Sequence, residues 1–166
     1  MSLQNALRHI ALTGFIFLFS VTGLHSAEDE MLQITLKGAV AQEIAEQITA
    51  KDIEIVGTLD VELYDPFDKK KSLFTTVKLE EFVARFGKPG VTEVTFKAID
   101  DYSLSFNKKD WTEERILIAT QSGNKYMTLE KKGPIRILFP GWNRKNYSKK
   151  RSLPKWIWMI TEVQFR

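Results

Sequence analysis

Short stretches in which apolar and polar residues alternate recur along this chain, and a period of two is the signature of strands with one buried face. Residues 32–37 read Leu-Gln-Ile-Thr-Leu-Lys and stop at Gly38. Leu59, Val61 and Leu63 alternate with Asp60 and Glu62, and Val94, Phe96 and Ala98 with Glu93, Thr95 and Lys97. Tyr102, Leu104 and Phe106 share one side of a further segment, adjacent to the last. Strand character is also expected over 53–63, over 116–120 paired with 126–129 across Ser122-Gly123-Asn124, over 134–140 and over 156–165. A firm helical period occurs at Leu79, Phe82, Val83 and Phe86, with Glu80 and Glu81 early, Arg85 late and Gly87 just past the end. Shorter helices are expected over 41–48, where Ala41, Ile44, Ala45 and Ile48 form a stripe, and from Asp110, with Glu113 three residues on as in a capping box. A long loop is expected over 65–71. Strands that outnumber helices, without strict alternation, predict an α+β domain in which the sheet dominates.

Composition removes several kinds of chemistry. The chain has no cysteine, and its two histidines, His9 and His25, fall in an N-terminal stretch built like an export signal. That stretch has Arg8, an apolar run over 10–24, and the small residues Ser26 and Ala27 before Glu28. The run is shorter than the roughly 20 residues of a spanning helix. We therefore expect a signal peptide at 1–27, a periplasmic location and a single domain over 28–166. The remaining chain would lack both His and Cys, which excludes Ser-His and Cys-His nucleophiles, histidine zinc sites and disulfides. With a net charge of +3 and both signs interleaved, nothing points to a nucleic-acid partner.

From Val94 onward the chain resembles small, single-domain members of the sulfite-oxidase-like, molybdopterin-binding-domain family. The resemblance rests on Ala98-Ile99-Asp100-Asp101-Tyr102, Ile116-Leu117-Ile118-Ala119-Thr120, Gly123, Met127, Lys132-Gly133-Pro134, Pro140 and Trp156-Ile157-Trp158. More weakly, Asp65-Pro66-Phe67 stands where relatives often have a Thr-Pro-Trp-like string. Arg136 matches the Pro-x-Arg pattern of the full-length enzymes, and the family's metal-ligating cysteine has no counterpart. Small exported members that lack the cysteine are pterin-binding proteins acting on the periplasmic part of membrane cyclic-di-GMP enzymes of the GGDEF/EAL kind. The resemblance thus implies the sulfite-oxidase-like fold and a non-catalytic, monomeric protein. It also implies a pterin ligand without a metal, and a membrane partner. The competing implication is a molybdopterin-binding oxidoreductase, or an accessory or electron-transfer subunit.

A pterin is flat, with a guanidine-like edge, so its site wants a carboxylate for the edge and an aromatic for the face. Asp101 and Tyr102 supply those types side by side, although a turn residue beside a core residue explains them equally well. Arg136, held on a strand, can grip a phosphate or a polyhydroxyl side chain by its fork. Phe67, Lys155 and Trp156 complete the expected ligand set, while Trp158 reads as core. Trp142, Tyr147, Lys149, Lys150 and Arg151, in the basic stretch 141–154, are the expected partner contacts, since exposed aromatics beside cations favour interface anchors.

Overall fold

The computed structural model describes residues 31–140 and 155–166; the expected signal segment and stretch 141–154, with its five expected partner contacts, lie outside them. The described chain forms two sheets with three short α-helices, the sheet-dominated α+β class that the alternation predicts. The first sheet contains β1 (Gln33–Gly38), β2 (Gln47–Thr49), β5 (Glu93–Ala98), β6 (Ser103–Asn107) and β9 (Ile160–Phe165), in the order β2-β1-β9-β5-β6. The second contains β3 (Leu59–Asp65), β4 (Lys70–Lys78), β7 (Leu117–Ser122) and β8 (Arg136–Leu138), in that order. β1 and β9 are parallel; the other pairs are antiparallel. The sheets meet where the chain approaches β9, through a bridge between Ile135 and Ile160 and a hydrogen bond from Ile137 N–H to the Ile157 carbonyl at 2.8 Å.

The helices are α1 (Ala50–Ile53), α2 (Leu79–Phe86) and α3 (Lys108–Glu113). On α2 the apolar stripe Leu79, Phe82, Val83 and Phe86 is buried, as its spacing demands. Phe82 stacks on Phe86 at 4.8 Å and on Phe165 at 5.7 Å between ring centroids. From there a chain of rings runs through Phe96, Phe106 and Phe139 to Trp156, with successive centroids 6.0 to 6.4 Å apart. Such ring contacts contribute roughly 0.5–1.5 kcal/mol each beyond area burial.

Several local expectations are corrected. Residues 41–46 form no helix: Ala41 N–H bonds the Phe86 carbonyl, and the following residues pair with β1 as β2, so tertiary hydrogen bonds override the stripe. The helix comes later, as α1, because Thr49 and Asp52 form a capping box. A capping box also opens α3, but Asn107 is its cap and Asp110 its third residue. The expected loop at 65–71 is a tight turn joining β3 to β4, in which Asp65 pairs with Lys70. The second arm of the expected hairpin is reduced to a bridge between Gln121 and Tyr126, after which Leu129–Lys131 form a 3₁₀ turn. The last strand starts at Ile160 instead of Trp156, since Met159 takes a left-handed backbone (φ 53°) that no regular strand can pass through.

Gly38 ends β1 with φ 77°, and a Cβ there would lie 2.2 Å from the Phe165 carbonyl oxygen. Gly38→Ala should therefore lower stability in urea unfolding by about 1–3 kcal/mol or more. Gly90→Ala, at an equally left-handed position with open space around it, should cost less.

Candidate functional site

Arg136 is the residue around which the site is built. It stands on β8, pairs in register with Ala119 of β7, and is only 2% exposed. Leu138, its neighbour on the same face, is fully buried too, so both faces of β8 are covered and neither is a surface. The Arg136 guanidinium lies 5.5 Å from the Phe74 ring centroid, and its Nη2 is 2.7 Å from Oδ2 of Asp65, itself fully buried. The two charges compensate each other, but the N–H directions miss the carboxylate. Nε and Nη2 of Arg136, and Oδ2 of Asp65, make no hydrogen bond.

Asp65 also shapes the turn after β3. Its Oδ1 accepts the backbone N–H of Phe67 at 2.8 Å and of Asp68 at 3.1 Å, the self-bonded aspartate turn that Asp-Pro sequences favour. The turn thereby presents two side chains. Phe67, 42% exposed, packs edge-on against Trp158 at 4.8 Å and tilts against Trp156 at 5.9 Å. The carboxylate of Asp68 binds the ammonium of Lys132. Burial pushes the Asp68 carboxyl up, but the Lys132 hydrogen bond and charge, with Arg136 and Lys70 behind them, outweigh it and hold the group below the usual carboxylate range.

Lys132 closes the ring of contacts. Its Nζ lies 5.4 Å from the Trp158 centroid and 6.0 Å from that of Phe67, a cation over two aromatic faces. Its backbone (φ 67°) ends the 3₁₀ turn, and its carbonyl accepts from Met159 N–H at 3.2 Å, which keeps Trp158 beside it. Gly133 makes this possible: a Cβ there would sit 1.9 Å from the Met127 carbonyl oxygen, so only glycine lets the Lys132–Pro134 string pass so close.

Beside this cluster lies an open cleft of about 1470 Å³. Its wall includes Arg136, Lys132, Asp68, Lys70, Lys125 and Tyr126. Across the cleft Tyr126 donates to Glu54 Oε2 at 2.9 Å, while Thr120 and Gln121 donate to Oε1 at 2.7 and 2.8 Å, which pins the 3₁₀ turn after α1 onto β7. Burial, then Glu54, pushes the Tyr126 phenol up, so it remains a hydrogen-bond donor.

The expected residues divide into two groups. Phe67, Trp156 and Arg136 come together around the Asp65 turn. Trp156 is the buried one of the two tryptophans and its Nε1 has no hydrogen-bond partner, whereas Trp158, expected in the core, is only partly buried. Asp101 and Tyr102 sit elsewhere, on the exposed turn between β5 and β6, and do not line the cleft. Asp101 has φ 68° and an ion pair with Lys97 at 2.7 Å, and this hydrogen bond and charge hold its carboxyl below the usual range. Lys155 is turned to Asp110 of α3, 3.4 Å away. Asp65, Asp68 and Lys132 went unread, although two of them lie within the quoted strings Asp65-Pro66-Phe67 and Lys132-Gly133-Pro134. An aspartate before proline was the available signal for the first. Among the described residues no group of three or more His, Cys, Asp or Glu is arranged to hold a metal ion. No family model matches the chain, and no curated protein matches it significantly.

Removing one partner of a buried pair strands the other's charge, which costs about 3–5 kcal/mol. Asp65→Asn should lower stability on that scale in denaturant unfolding, while adding Arg136→Met should restore much of the loss. Asp68 obeys the opposite logic at the surface. Its folded pKa is depressed, so the stability it contributes is complete above the ordinary carboxylate range and is lost as pH falls through the folded value. Melting temperature followed from pH 7 down to pH 3 should fall less steeply in Asp68→Asn than in the parent.

Proposed function

We propose that the protein is an exported, non-catalytic binding protein for a pterin-class ligand, and that it reports ligand occupancy to the periplasmic part of a membrane cyclic-di-GMP enzyme. The observation that carries this reading is the guanidinium of Arg136, buried beside the cleft with its Nε lacking a hydrogen-bond partner. Buried donors without a partner in the protein are rare, and a polar ligand or an ordered water is what usually answers them. Trp156 Nε1 is a second such donor, on the aromatic side of the same turn.

The residues present suit a pterin in kind. Phe67 and Trp158 supply flat faces, Arg136 and Trp156 supply donors for ring oxygen or nitrogen, and Asp68 supplies a carboxylate for the guanidine-like edge. In this assignment Asp68, which lines the cleft, takes the part expected of Asp101, which is engaged with Lys97. Nothing in the set is an obvious nucleophile or general base: the carboxylates are ion-paired and the phenol of Tyr126 is a donor. Binding is the work such a set can do.

Reporting requires the ligated and free states to differ in affinity for the partner. The Asp65–Asp68 turn is the element placed to carry that difference, since it is tied to Arg136 at one end and presents Phe67 to the outside at the other. The stretch 141–154 is the proposed docking segment, with Trp142, Tyr147, Lys149, Lys150 and Arg151 as its contacts.

Titration of the purified protein with tetrahydropterin, followed by tryptophan quenching, tests the reading. Phe67→Ala should weaken binding by about tenfold or more, since aromatic stacking contributes roughly 1–3 kcal/mol. Melting temperature should hardly move, because the side chain is 42% exposed. Unchanged affinity in this variant, or no saturable binding by the parent, overturns the proposal.

A further inference from the structure

We propose that the free edge of β6 pairs with the β6 of a second copy of this chain, antiparallel about Leu104, so that the two five-stranded sheets become one. This goes beyond the ligand reading and does not rest on it, and it puts a dimer in place of the monomer that the family resemblance implies. Unspent groups on the edge, and the charges that a two-fold axis there brings together, support it.

A sheet edge is a template for another strand unless it is short, charged or covered. Three of the four edges in the described sheets are guarded in one of these ways. β2 and β8 have three residues each, with β8 buried, and β3 carries Asp60 and Glu62. β6 is the exception, five residues reading Ser103-Leu104-Ser105-Phe106-Asn107 without a charge or a proline. The bonds that flank it fix its backbone directions. Ala98 N–H donates to the Tyr102 carbonyl and Lys108 N–H to the Thr92 carbonyl, both at 2.8 Å. Between these points the antiparallel register alternates, so Leu104 and Phe106 bond β5 while Ser103, Ser105 and Asn107 turn their N–H and C=O groups outward. Asn107 is spent on α3: its N–H goes to Asp110 at 2.8 Å, and as the cap its carbonyl serves the helix. Ser103 and Ser105, both exposed, keep their outward N–H and C=O groups, none of them bonded among the described residues.

Antiparallel pairing about Leu104 uses these groups and no others, because Ser103 of each copy exchanges both bonds with Ser105 of the other. Leu104 then faces Leu104 in a non-hydrogen-bonded pair, the kind whose side chains come closest. It is partly buried at the rim of the core, and the second copy covers the rest. In the same register Tyr102, 47% exposed, comes opposite Phe106, and Asp100 comes opposite Lys108. Two-fold symmetry makes each of these contacts twice. Asp101 and Lys109 already have partners in Lys97 and Glu113, whereas Asp100 and Lys108 have no ion-pair partner among the described residues. This charge complementarity selects a second copy over an unrelated strand. No residue of β5, β6 or their turn lines the cleft, so both clefts stay open in the dimer.

Sedimentation velocity of the purified protein from about 5 to about 500 µM tests this, a range set by the weak association expected of so small an interface. The mass should rise from one chain to two across it. Ser103→Lys/Ser105→Lys sets lysine opposite lysine at both serine pairs, on side chains that are exposed in the free protein. Dimerisation should then weaken by about tenfold or more, while the melting temperature of the dilute protein hardly changes. Lys108→Glu and Asp100→Lys should each weaken dimerisation by about fivefold at low salt, and the two together should restore it, since each exposed pair is merely reversed in sign. A protein that stays monomeric over the whole range overturns the proposal, as does a double-lysine variant that dimerises like the parent or a charge swap that fails to restore dimerisation. Amide hydrogen exchange at Ser103 and Ser105 identifies what holds the edge. Protection should grow with protein concentration; protection independent of concentration means that another segment of the same chain is already paired there, and overturns the proposal as well.

Discussion

The buried contact between Arg136 and Asp65 is the constraint on which the rest of the site depends. It connects β8, at one edge of the four-stranded sheet, to the tip of the hairpin whose outer strand forms the other edge. Asp65 uses one oxygen to face the guanidinium and the other to hold the backbone of Phe67 and Asp68. Thus one carboxylate positions an aromatic ring, a second carboxylate and, through that, Lys132 over Trp158. A buried pair of this kind is weak evidence for stability, since an apolar pair of similar volume is often as good or better. Its place in this fold is explained by position. An apolar pair could fill the volume, but it could not order the turn.

The arrangement also separates two tasks that the same side chains might otherwise have confused. Charge in the cleft is handled by lysines and the guanidinium, on the side of β4 and β8. Ring contacts are handled by Phe67, Trp156 and Trp158, which border the same turn but are not part of the cleft wall. Lys132 belongs to both, because its backbone is tied to Met159 while its ammonium reaches Asp68.

Much of the framework was legible because it is written in short periods. The alternation in β1 and β5, at 59–63 in β3 and at Leu104 and Phe106 in β6, and the stripe of α2 each report a face turned to the core, whereas residues 53–56, expected as strand, end α1 and form a 3₁₀ turn, and Tyr102 is exposed. The failures share another cause. Ala41, Ile44, Ala45 and Ile48 have helical spacing, yet the backbone there is bound to Phe86 and β1, partners that no local pattern reveals. The site was half legible for the same reason. Arg136, Phe67 and Trp156 could be singled out by type, but Asp65 gains its importance only from a partner 71 residues away in the chain. Asp101 and Tyr102, adjacent and of suitable types, were attractive on sequence; a left-handed turn and Lys97 account for the first of them instead.

The parallel pairing of β1 with β9 has a consequence for how the molecule comes into being. β9 is the middle strand of its sheet, flanked by β1 and β5, and through Ile160 it also touches the second sheet. Residues 160–165 follow both β1 and β5 in sequence, so neither strand can acquire this central neighbour until β9 has been made. Contacts so distant in sequence make folding slow relative to helical proteins of the same size. The five-stranded sheet is thus joined across its middle by the strand that comes last in sequence among its members, and its two halves wait for that strand.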